Sequence, residues 1–128
     1  MQKRLLGIDY GDKRLGLALA DELGPALPFK ILENSQNILQ NIKDIIKAEN
    51  IDIVVVGLPH SLSGQHNDRL EITQNFVDTL RNDLDIPVET IDEQMTSKLY
   101  ERMGVKKDID KHSATAILDT YLSKNNAS

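Results

Sequence analysis

The feature that most restricts the fold of this chain is an apolar segment near its middle, IDIVVVG from Ile51 to Gly57. Its residues are mostly β-branched, and only Asp52 carries a polar side chain. A strand of this kind is typical of a parallel sheet covered on both faces, because neither of its sides can be left to water. The segment therefore predicts a central parallel strand in an α/β fold.

Two further apolar segments, Arg4–Tyr10 and Arg14–Ala20, lie near the amino end of the chain. Only Gly11-Asp12-Lys13 separates them, and a short connection that contains glycine predicts an antiparallel hairpin. After Gly24-Pro25, the segment from Ala26 to Leu32 is again short and apolar. It predicts a third antiparallel strand.

Helical periodicity follows these strands. Apolar residues recur at helical spacing from Ile38 to Ile46, and Asn34 or Ser35 is predicted to cap this helix. A loop is predicted over Leu58–Asn67. The next helix is expected to have an inward face made of Leu70, Thr73, Phe76, Val77 and Leu80, and a strand from Ile86 to Ile91 follows it. A short helix is then expected from Thr96 or Ser97 to Gly104. The last helix is expected from Asp110 to Leu122, with an inward face made of Ala114, Ile117, Leu118, Tyr121 and Leu122. Residues Asn125–Ser128 are expected to fray.

Together these elements predict an α/β fold built on a five-stranded mixed sheet. Three antiparallel strands come first and two parallel strands follow, with helices on both faces of the sheet. The length of 128 residues suits one domain, so we expect a single domain over residues 1–128. Hydrophobic residues make up 40% of the chain and charged residues 27%, which predicts a folded globular protein.

Composition excludes several classes of protein. The chain has no cysteine, so it cannot form disulfides, thiolate nucleophiles or cysteine-ligated zinc sites. We find no apolar run long enough for a membrane span and no secretory leader, which predicts a cytoplasmic protein with no membrane partner. The formal net charge of −5 argues against coating of nucleic acid by bulk electrostatics. Local basic clusters remain, at Lys3, Arg4, Lys13 and Arg14 and again at Lys98, Arg102, Lys106 and Lys107.

Asp9 is the residue that this pattern explains least well. It interrupts an apolar strand, and a buried carboxylate without compensation costs several kcal/mol. Asp92 and Glu93 directly follow the last predicted strand, and Asp110 opens the final helix. Because sites in such sheets form at the carboxyl ends of parallel strands, we expect these acidic groups to meet at one edge.

Several carboxylates at one edge repel one another unless cations neutralise them. Hard oxygen ligands without thiolates suit Mg²⁺ or Mn²⁺, and such ions support the hydrolysis of phosphodiesters. Structural alternatives stay open for two of these residues. Asp110 alone can be a helix N-cap, and Glu93 alone can be an ordinary residue in the first turn of a helix.

Four segments in this order resemble the YqgF family of pre-16S rRNA nucleases, which are also described as Holliday-junction-resolvase-like proteins with a ribonuclease H-like fold. The segments are GIDYGDKRLGLALAD (Gly7–Asp21), VVVGLP (Val54–Pro59), DEQMTS (Asp92–Ser97) and DKHSATAILDTYL (Asp110–Leu122). The resemblance covers nearly the whole chain. It implies a ribonuclease H-like fold and a nuclease that depends on Mg²⁺ or Mn²⁺.

The resemblance also implies roles for individual residues. The acidic triad of the family falls on Asp9, Glu93 and Asp110, which would be both the catalytic residues and the metal ligands. The predicted substrate-binding residues are Tyr10, Gly11, Arg14, Thr96 and Ser97. For Arg14 a solvated surface role stays open, and for Thr96 or Ser97 so does a helix cap.

Two departures from the family pattern concern the same regions. Gln94 stands where the family commonly has arginine, which removes a fixed cation near the scissile phosphate. Ser113 replaces a usual alanine, and its effect is expected to be limited to the start of the helix. Of the three histidines, His60 and His66 are interpreted as polar loop residues, while His112 is interpreted as a solvent-facing residue close to Asp110.

We therefore expect a metal-dependent nuclease that processes precursor 16S rRNA during ribosome biogenesis. Two alternatives stay open, a Holliday-junction-resolvase-like DNA endonuclease and a non-catalytic RNA-binding assembly factor. An actin-like nucleotide-binding module ranks last, because that fold needs two ribonuclease H-like halves. The expected partner is nucleic acid, with precursor rRNA favoured over branched DNA, and the expected state is a monomer or a weak homodimer.

Overall fold

Five strands in one sheet organise the molecule. The computed structural model describes residues 3–59, 68–92 and 113–126. Within these ranges the elements are β1 (Arg4–Tyr10), β2 (Arg14–Asp21), β3 (Leu27–Glu33), α1 (Ile38–Glu49), β4 (Ile53–Leu58), α2 (Asp68–Asp83), β5 (Val88–Asp92) and α3 (Ser113–Asn126). The predicted short helix from Thr96 or Ser97 and the predicted helix start at Asp110 lie outside the described residues.

The order of the strands in the sheet is β3-β2-β1-β4-β5. β1 pairs antiparallel with β2 and parallel with β4, and β4 pairs parallel with β5. The mixed α/β sheet predicted from the sequence is therefore confirmed. The valine-rich strand β4 is an interior strand with parallel neighbours on both sides, as predicted, while β1 occupies the middle of the five strands. The hairpin adds two strands on one side of β1, and the crossovers add β4 and β5 on the other.

Side-chain alternation divides the interior into two cores, one on each face of the sheet. On one face, Leu6 and Ile8 of β1 pack with the buried sides of α1 and α2. On the other face, Leu5 packs with α3, whose buried residues include Ile117 and Leu118. Helices therefore cover both faces, as the sequence predicted. In the described part of the chain, no helix is long and apolar enough to cross a membrane.

Several element boundaries differ from the sequence prediction by one to four residues. β5 begins at Val88 rather than Ile86, because Pro87 has no N–H for the ladder and only accepts a hydrogen bond from the Val54 N–H, at 3.0 Å. It also extends through Asp92, which was expected to follow the strand. α3 continues to Asn126, so residues 125 and 126 are helical where fraying was expected.

An irregularity in β3 changes which residues face each side of the sheet. Lys30 pairs with Leu17, but the next residue of β2, Ala18, pairs with Pro28. β3 thus has one more residue than β2 at this point, Phe29, which is the arrangement of a β-bulge. Phe29 packs against the core formed with α1 and α2.

The predicted cap of α1 was wrong, and the residue involved does something else. The N-cap is Asn37, whose side chain makes no capping hydrogen bond. The side-chain amide of Asn34 instead donates to the carbonyl oxygen of Gly11 at 2.9 Å, and its backbone N–H donates to the carbonyl of Lys13 at 2.9 Å. Asn34 therefore fixes the tip of the β1–β2 hairpin.

Helix α3 lies very close to β1 at Gly7. A Cβ atom placed on Gly7 would lie 2.6 Å from Leu118 Cγ and 2.9 Å from the carbonyl oxygen of Ala114. We expect Gly7→Ala to destabilise the fold by about 1–3 kcal/mol, because the helix must move away from the sheet. Urea unfolding measures this change.

The matched control is Gly16→Ala on the neighbouring strand. A Cβ there would meet only Asp9 Cβ, at an ordinary contact distance of 3.9 Å. The free energy of unfolding should therefore change by no more than about 0.5 kcal/mol. Equal losses in the two variants would contradict the close packing of α3 on β1.

Asn34→Ala tests the hydrogen bond at the hairpin tip. Because the Gly11 carbonyl is partly buried, we expect a loss of about 0.5–1.5 kcal/mol in the free energy of unfolding and faster hydrogen exchange around residues 11–14. Asn37→Ala is the control, since its side chain makes no capping bond. If the control loses as much stability as Asn34→Ala, the role assigned to Asn34 is wrong.

The half-buried Asp119 of α3 predicts a dependence of stability on pH. Burial raises the pKa of this carboxyl above its ordinary value of 3.8, and the hydrogen bond from the Ala26 N–H only partly opposes that rise in pKa. Since the folded-state pKa exceeds the unfolded one, ionisation of Asp119 lowers stability as the pH rises through the folded-state value. Asp119→Asn stays neutral and can still accept the hydrogen bond.

We therefore expect Asp119→Asn to be more stable than the parent protein at neutral pH, with a difference that shrinks as the pH falls toward 3.8. Urea unfolding across this pH range measures the difference. Asp78→Asn removes the same charge from an exposed position on α2 and serves as the control. A difference for Asp119→Asn that stays constant with pH would contradict the prediction.

Candidate active site

An open groove of about 740 Å³ lies on the α3 face of the sheet, between β3 and the start of α3. Its residues come from three strands and one helix and include Asp9, Arg14, Gly16, Ile31, Ala114 and Thr115. α3 crosses β1 at Gly7, and Asp9 is two residues farther along the same face of that strand. The helix therefore covers the middle of β1 and leaves the groove at its carboxyl end.

Asp9 lies in a row of paired residues across three strands. It pairs with Gly16 of β2, and Gly16 pairs with Ile31 of β3. Because Gly16 has no side chain, nothing on β2 covers the Asp9 carboxylate on the side of the groove. Asp9 is accordingly only partly buried. The apolar sequence around Asp9 predicted a buried carboxylate, and the structure shows a partly buried one with a glycine as its partner on β2.

The carboxyl ends of the three parallel strands lie at one edge of the sheet. Ile8 of β1 is in register with Val56 of β4, and the last pair between β4 and β5 is Leu58 with Asp92. Asp9 and Asp92 therefore belong to the same edge, as the topology argument predicted. Glu93 follows Asp92 in the chain and lies outside the described residues.

Asp9 is the carboxylate that the described residues contribute to the groove. Residues 3–59, 68–92 and 113–126 contain no group of three acidic or histidine side chains able to hold a metal ion between them. The oxygen donor at Asp9 is chemically suited to Mg²⁺ or Mn²⁺.

Two basic residues are among those that line the groove, Arg14 on the face of Asp9 and Lys30 next to Phe29 at the edge strand. Arg14 and Lys30 are both exposed, and neither forms an ion pair with another residue in the part of the chain that the structure describes. Arg4 behaves differently, because its guanidinium lies 3.2 Å from Glu49 Oε1 and 3.8 Å from Asp21 Oδ1. The basic cluster seen near the amino end of the sequence is therefore divided in space.

Tyr10 and Gly11 have structural roles in the described chain. The ring of Tyr10 packs on Phe76 of α2 with its centroid 4.2 Å away, in the core on the opposite face from Asp9. Strand alternation gives the two neighbouring residues opposite faces, so the structure does not bring Tyr10 to the groove. A Cβ on Gly11 would lie 2.5 Å from the carbonyl oxygen of Arg14, which makes glycine necessary at this turn.

The other predicted site residues lie outside the described residues. These are the catalytic and metal-binding candidates Glu93 and Asp110, the substrate-binding candidates Thr96 and Ser97, and Gln94, His60, His66 and His112. Sequence reasoning missed Lys30 and Ile31, which form part of the outer wall of the groove. An apolar residue in a strand gives no sequence signal of exposure, and the bulge at Phe29 further obscures which face each residue of β3 takes.

Comparisons with known proteins agree with this geometry. The family model described as "RuvX: Holliday junction resolvase" matches residues 3–124. A protein of Sulfurihydrogenibium sp. described as a "Putative pre-16S rRNA nuclease" is 37% identical, over 94% of this chain and 90% of its own.

Solved structures show the same fold. T. thermophilus RuvC in complex with a Holliday junction substrate has a TM-score of 0.65 at 14% identity, covering 97% of this chain and 96% of that chain. A "putative sugar kinase" from Cytophaga hutchinsonii has a TM-score of 0.51 at 17% identity, covering 77% of this chain but only 38% of the kinase. The fold resemblance thus extends over nearly all of the resolvase and over less than half of the kinase. By its sequence and its ribonuclease H-like fold, the chain belongs to the RuvX family, also called YqgF.

Proposed function

We propose that the protein is a metal-dependent nuclease that processes precursor 16S rRNA. The observation that carries the proposal is the position of Asp9, a partly exposed carboxylate at the carboxyl end of the middle strand, in a groove also lined by Arg14, which forms no ion pair in the described chain. A carboxylate can hold a metal ion, and the Arg14 guanidinium can hold a phosphate of the substrate. Both groups suit the metal-dependent hydrolysis of a phosphodiester.

Asp9, Glu93 and Asp110 are the proposed ligands of Mg²⁺ or Mn²⁺. Chain connectivity supports this set, because Glu93 follows the last residue of β5 and Asp110 precedes Ser113, the first residue of α3, by three positions. The residues next along α3, Ala114 and Thr115, line the groove with Asp9. When bound, the ions supply positive charge that favours ionisation of the attacking water and stabilises the leaving oxygen.

Arg14 is the proposed phosphate contact beside Asp9. Its guanidinium can donate two parallel hydrogen bonds to a phosphate. A local positive charge of this kind allows a chain with a net charge of −5 to contact a polyanion at this point. Thr96 and Ser97 remain predicted substrate contacts. Tyr10 is no longer one, because its ring lies on the other face of the sheet.

Precursor rRNA is the favoured substrate because the relative described above carries that substrate in its name. The family description instead names Holliday junctions, so a branched DNA junction is the second candidate. The presence of Gln94 in place of arginine keeps a third candidate, an RNA-binding assembly factor that does not cleave. Since ribosomal RNA is processed in the cytoplasm of bacteria, the proposed compartment is cytoplasmic. The proposed state is a monomer or a weak homodimer.

The test is to incubate the purified protein with a precursor 16S rRNA transcript and with a four-way DNA junction, each with Mg²⁺, Mn²⁺ or a chelator. We expect cleavage of the transcript that the chelator abolishes. Asp9→Asn should lower the rate roughly 100-fold or more, because a lost metal ligand removes several kcal/mol of transition-state stabilisation, while RNA binding is retained.

Asp12→Asn is the matched control. Asp12 is an exposed carboxylate three residues away that pairs with Arg69 at 3.8 Å and does not line the groove. Calorimetric titration with Mn²⁺ gives a second readout, in which Asp9→Asn should lose binding and Asp12→Asn should keep it. Cleavage by Asp9→Asn at the parent rate would end the proposal, and RNA binding without any metal-dependent cleavage would favour the assembly factor.

A further inference from the structure

We propose that the groove beside Asp9 binds an unpaired segment of the nucleic acid, with one base against Ile31 and a neighbouring phosphate at Arg14. This inference rests on the proposed function, since it takes nucleic acid as the substrate. It adds a site for a specific part of that substrate. Neither the family description nor the names of the relatives assign a role to β3.

The row of paired residues gives the direction of the bound strand. Asp9, Gly16 and Ile31 are partners across β1, β2 and β3, so their positions point to the same face of the sheet. Two strand spacings separate the backbone at Asp9 from that at Ile31, a distance of about 10 Å. The missing side chain at Gly16 leaves an open path between them.

Ile31 is the unusual residue in this path. Its side chain is 69% exposed, although it lines a groove. An aliphatic side chain next to charged groups favours a ligand that is both apolar and anionic. A nucleotide strand has this combination, because the flat faces of its bases are apolar and its phosphates are charged.

Whether its bases are paired decides which form of nucleic acid can place a base against Ile31. In a duplex the faces of the bases are stacked inside the helix, and the surface that meets a protein wall is sugar and phosphate. In a single strand the bases can turn outward and lie against side chains. The exposed isoleucine therefore favours an unpaired segment next to the scissile phosphate.

Arg14 is the cation on the same face as Ile31. It precedes Gly16 by two residues on β2, so the two residues share a face, and Gly16 pairs with Ile31. Lys30 also lines the groove, but it pairs with Leu17, and its Nζ atom lies 4.9 Å from the centre of the Phe29 ring. Leu17 and Phe29 both pack in the core with α1 and α2, so the phosphate next to the base at Ile31 is assigned to Arg14.

The experiment measures binding in chelator, so that no cleavage is required. Fluorescence anisotropy compares a labelled single-stranded RNA with a duplex of the same sequence, using Ile31→Ser and the matched control Leu27→Ser. Leu27 is 61% exposed on the same strand, but it pairs with Leu19, which packs on the opposite core, and it does not line the groove. Both positions are exposed, so both variants are expected to fold, which thermal unfolding verifies.

We expect Ile31→Ser to raise the Kd for the single strand roughly three- to tenfold and to change the Kd for the duplex much less. Leu27→Ser should leave both unchanged, and Ile31→Phe should restore or tighten binding of the single strand because it offers a larger stacking surface. Equal effects of Ile31→Ser and Leu27→Ser, equal effects on single strand and duplex, or no effect would overturn the inference. Displacement of the RNA by polyglutamate as effectively as by unlabelled RNA would also overturn it, in favour of an acidic peptide.

The two proposals fail in different ways. Loss of single-strand binding in Ile31→Ser together with normal cleavage by Asp9→Asn would uphold the groove and reject the metal-dependent nuclease. Normal binding by Ile31→Ser together with loss of cleavage in Asp9→Asn would reject the groove alone.

Discussion

The alternation of side chains along β1 is the constraint on which the rest of the structure depends. β1 is the middle strand, so its two faces belong to two different cores. Leu6, Ile8 and Tyr10 serve the core with α1 and α2, while Leu5, Gly7 and Asp9 face α3. On that second face, position 5 has a large apolar side chain, position 7 has none, and position 9 has a charged one. Leu5 packs against α3, Gly7 leaves room for the close approach of the helix, and Asp9 lies beyond the point where the helix crosses the strand.

Within this one strand, the residues that stabilise the fold are therefore different from the residue that belongs to the candidate site. The α3 face of β1 needs a glycine at position 7, because the helix backbone and Leu118 occupy the space of a side chain. It needs no comparable contact at Asp9, where Gly16 leaves the neighbouring position open. Within the described residues, the strand next to Asp9 contributes a glycine rather than a side chain, and the charged residue at the end of the middle strand is only partly buried. The proposed functions of the groove are likewise divided between elements, with metal binding assigned to the carboxylate of β1 and phosphate binding to Arg14 of β2.

Much of the fold could be predicted from the sequence, because its strongest signals are local. The hairpin follows from two apolar segments around Gly11, and the inward faces of α2 and α3 follow from helical spacing. The position of β1 at the centre could not be predicted from the valine-rich composition of β4, since composition reports burial and does not report order. The role of Asn34 was also hidden, because its partner is the Gly11 carbonyl, 23 residues away. At the site, Asp9 and Arg14 could be identified from the sequence because their charged side chains suggest metal and phosphate binding. Ile31 could be identified only after the pairing of β1, β2 and β3 was known.

The extra residue in β3 has a consequence for sequence variation in this family. In an edge strand, one residue more or fewer is usually harmless, because only one neighbour is affected. Here Phe29 lies between Pro28 and Ile31, which pair with Ala18 and Gly16 on the α3 face of β2. Deletion of Phe29 would leave Pro28 and Ile31 two positions apart, and the ordinary alternation of a strand would keep both on that face. Such a deletion removes the ring that packs against the core with α1 and α2 and lies under the Lys30 ammonium. A relative that lacks one residue at this point in an alignment would therefore keep the wall at Ile31 and lose the aromatic residue that ties this edge strand to the core.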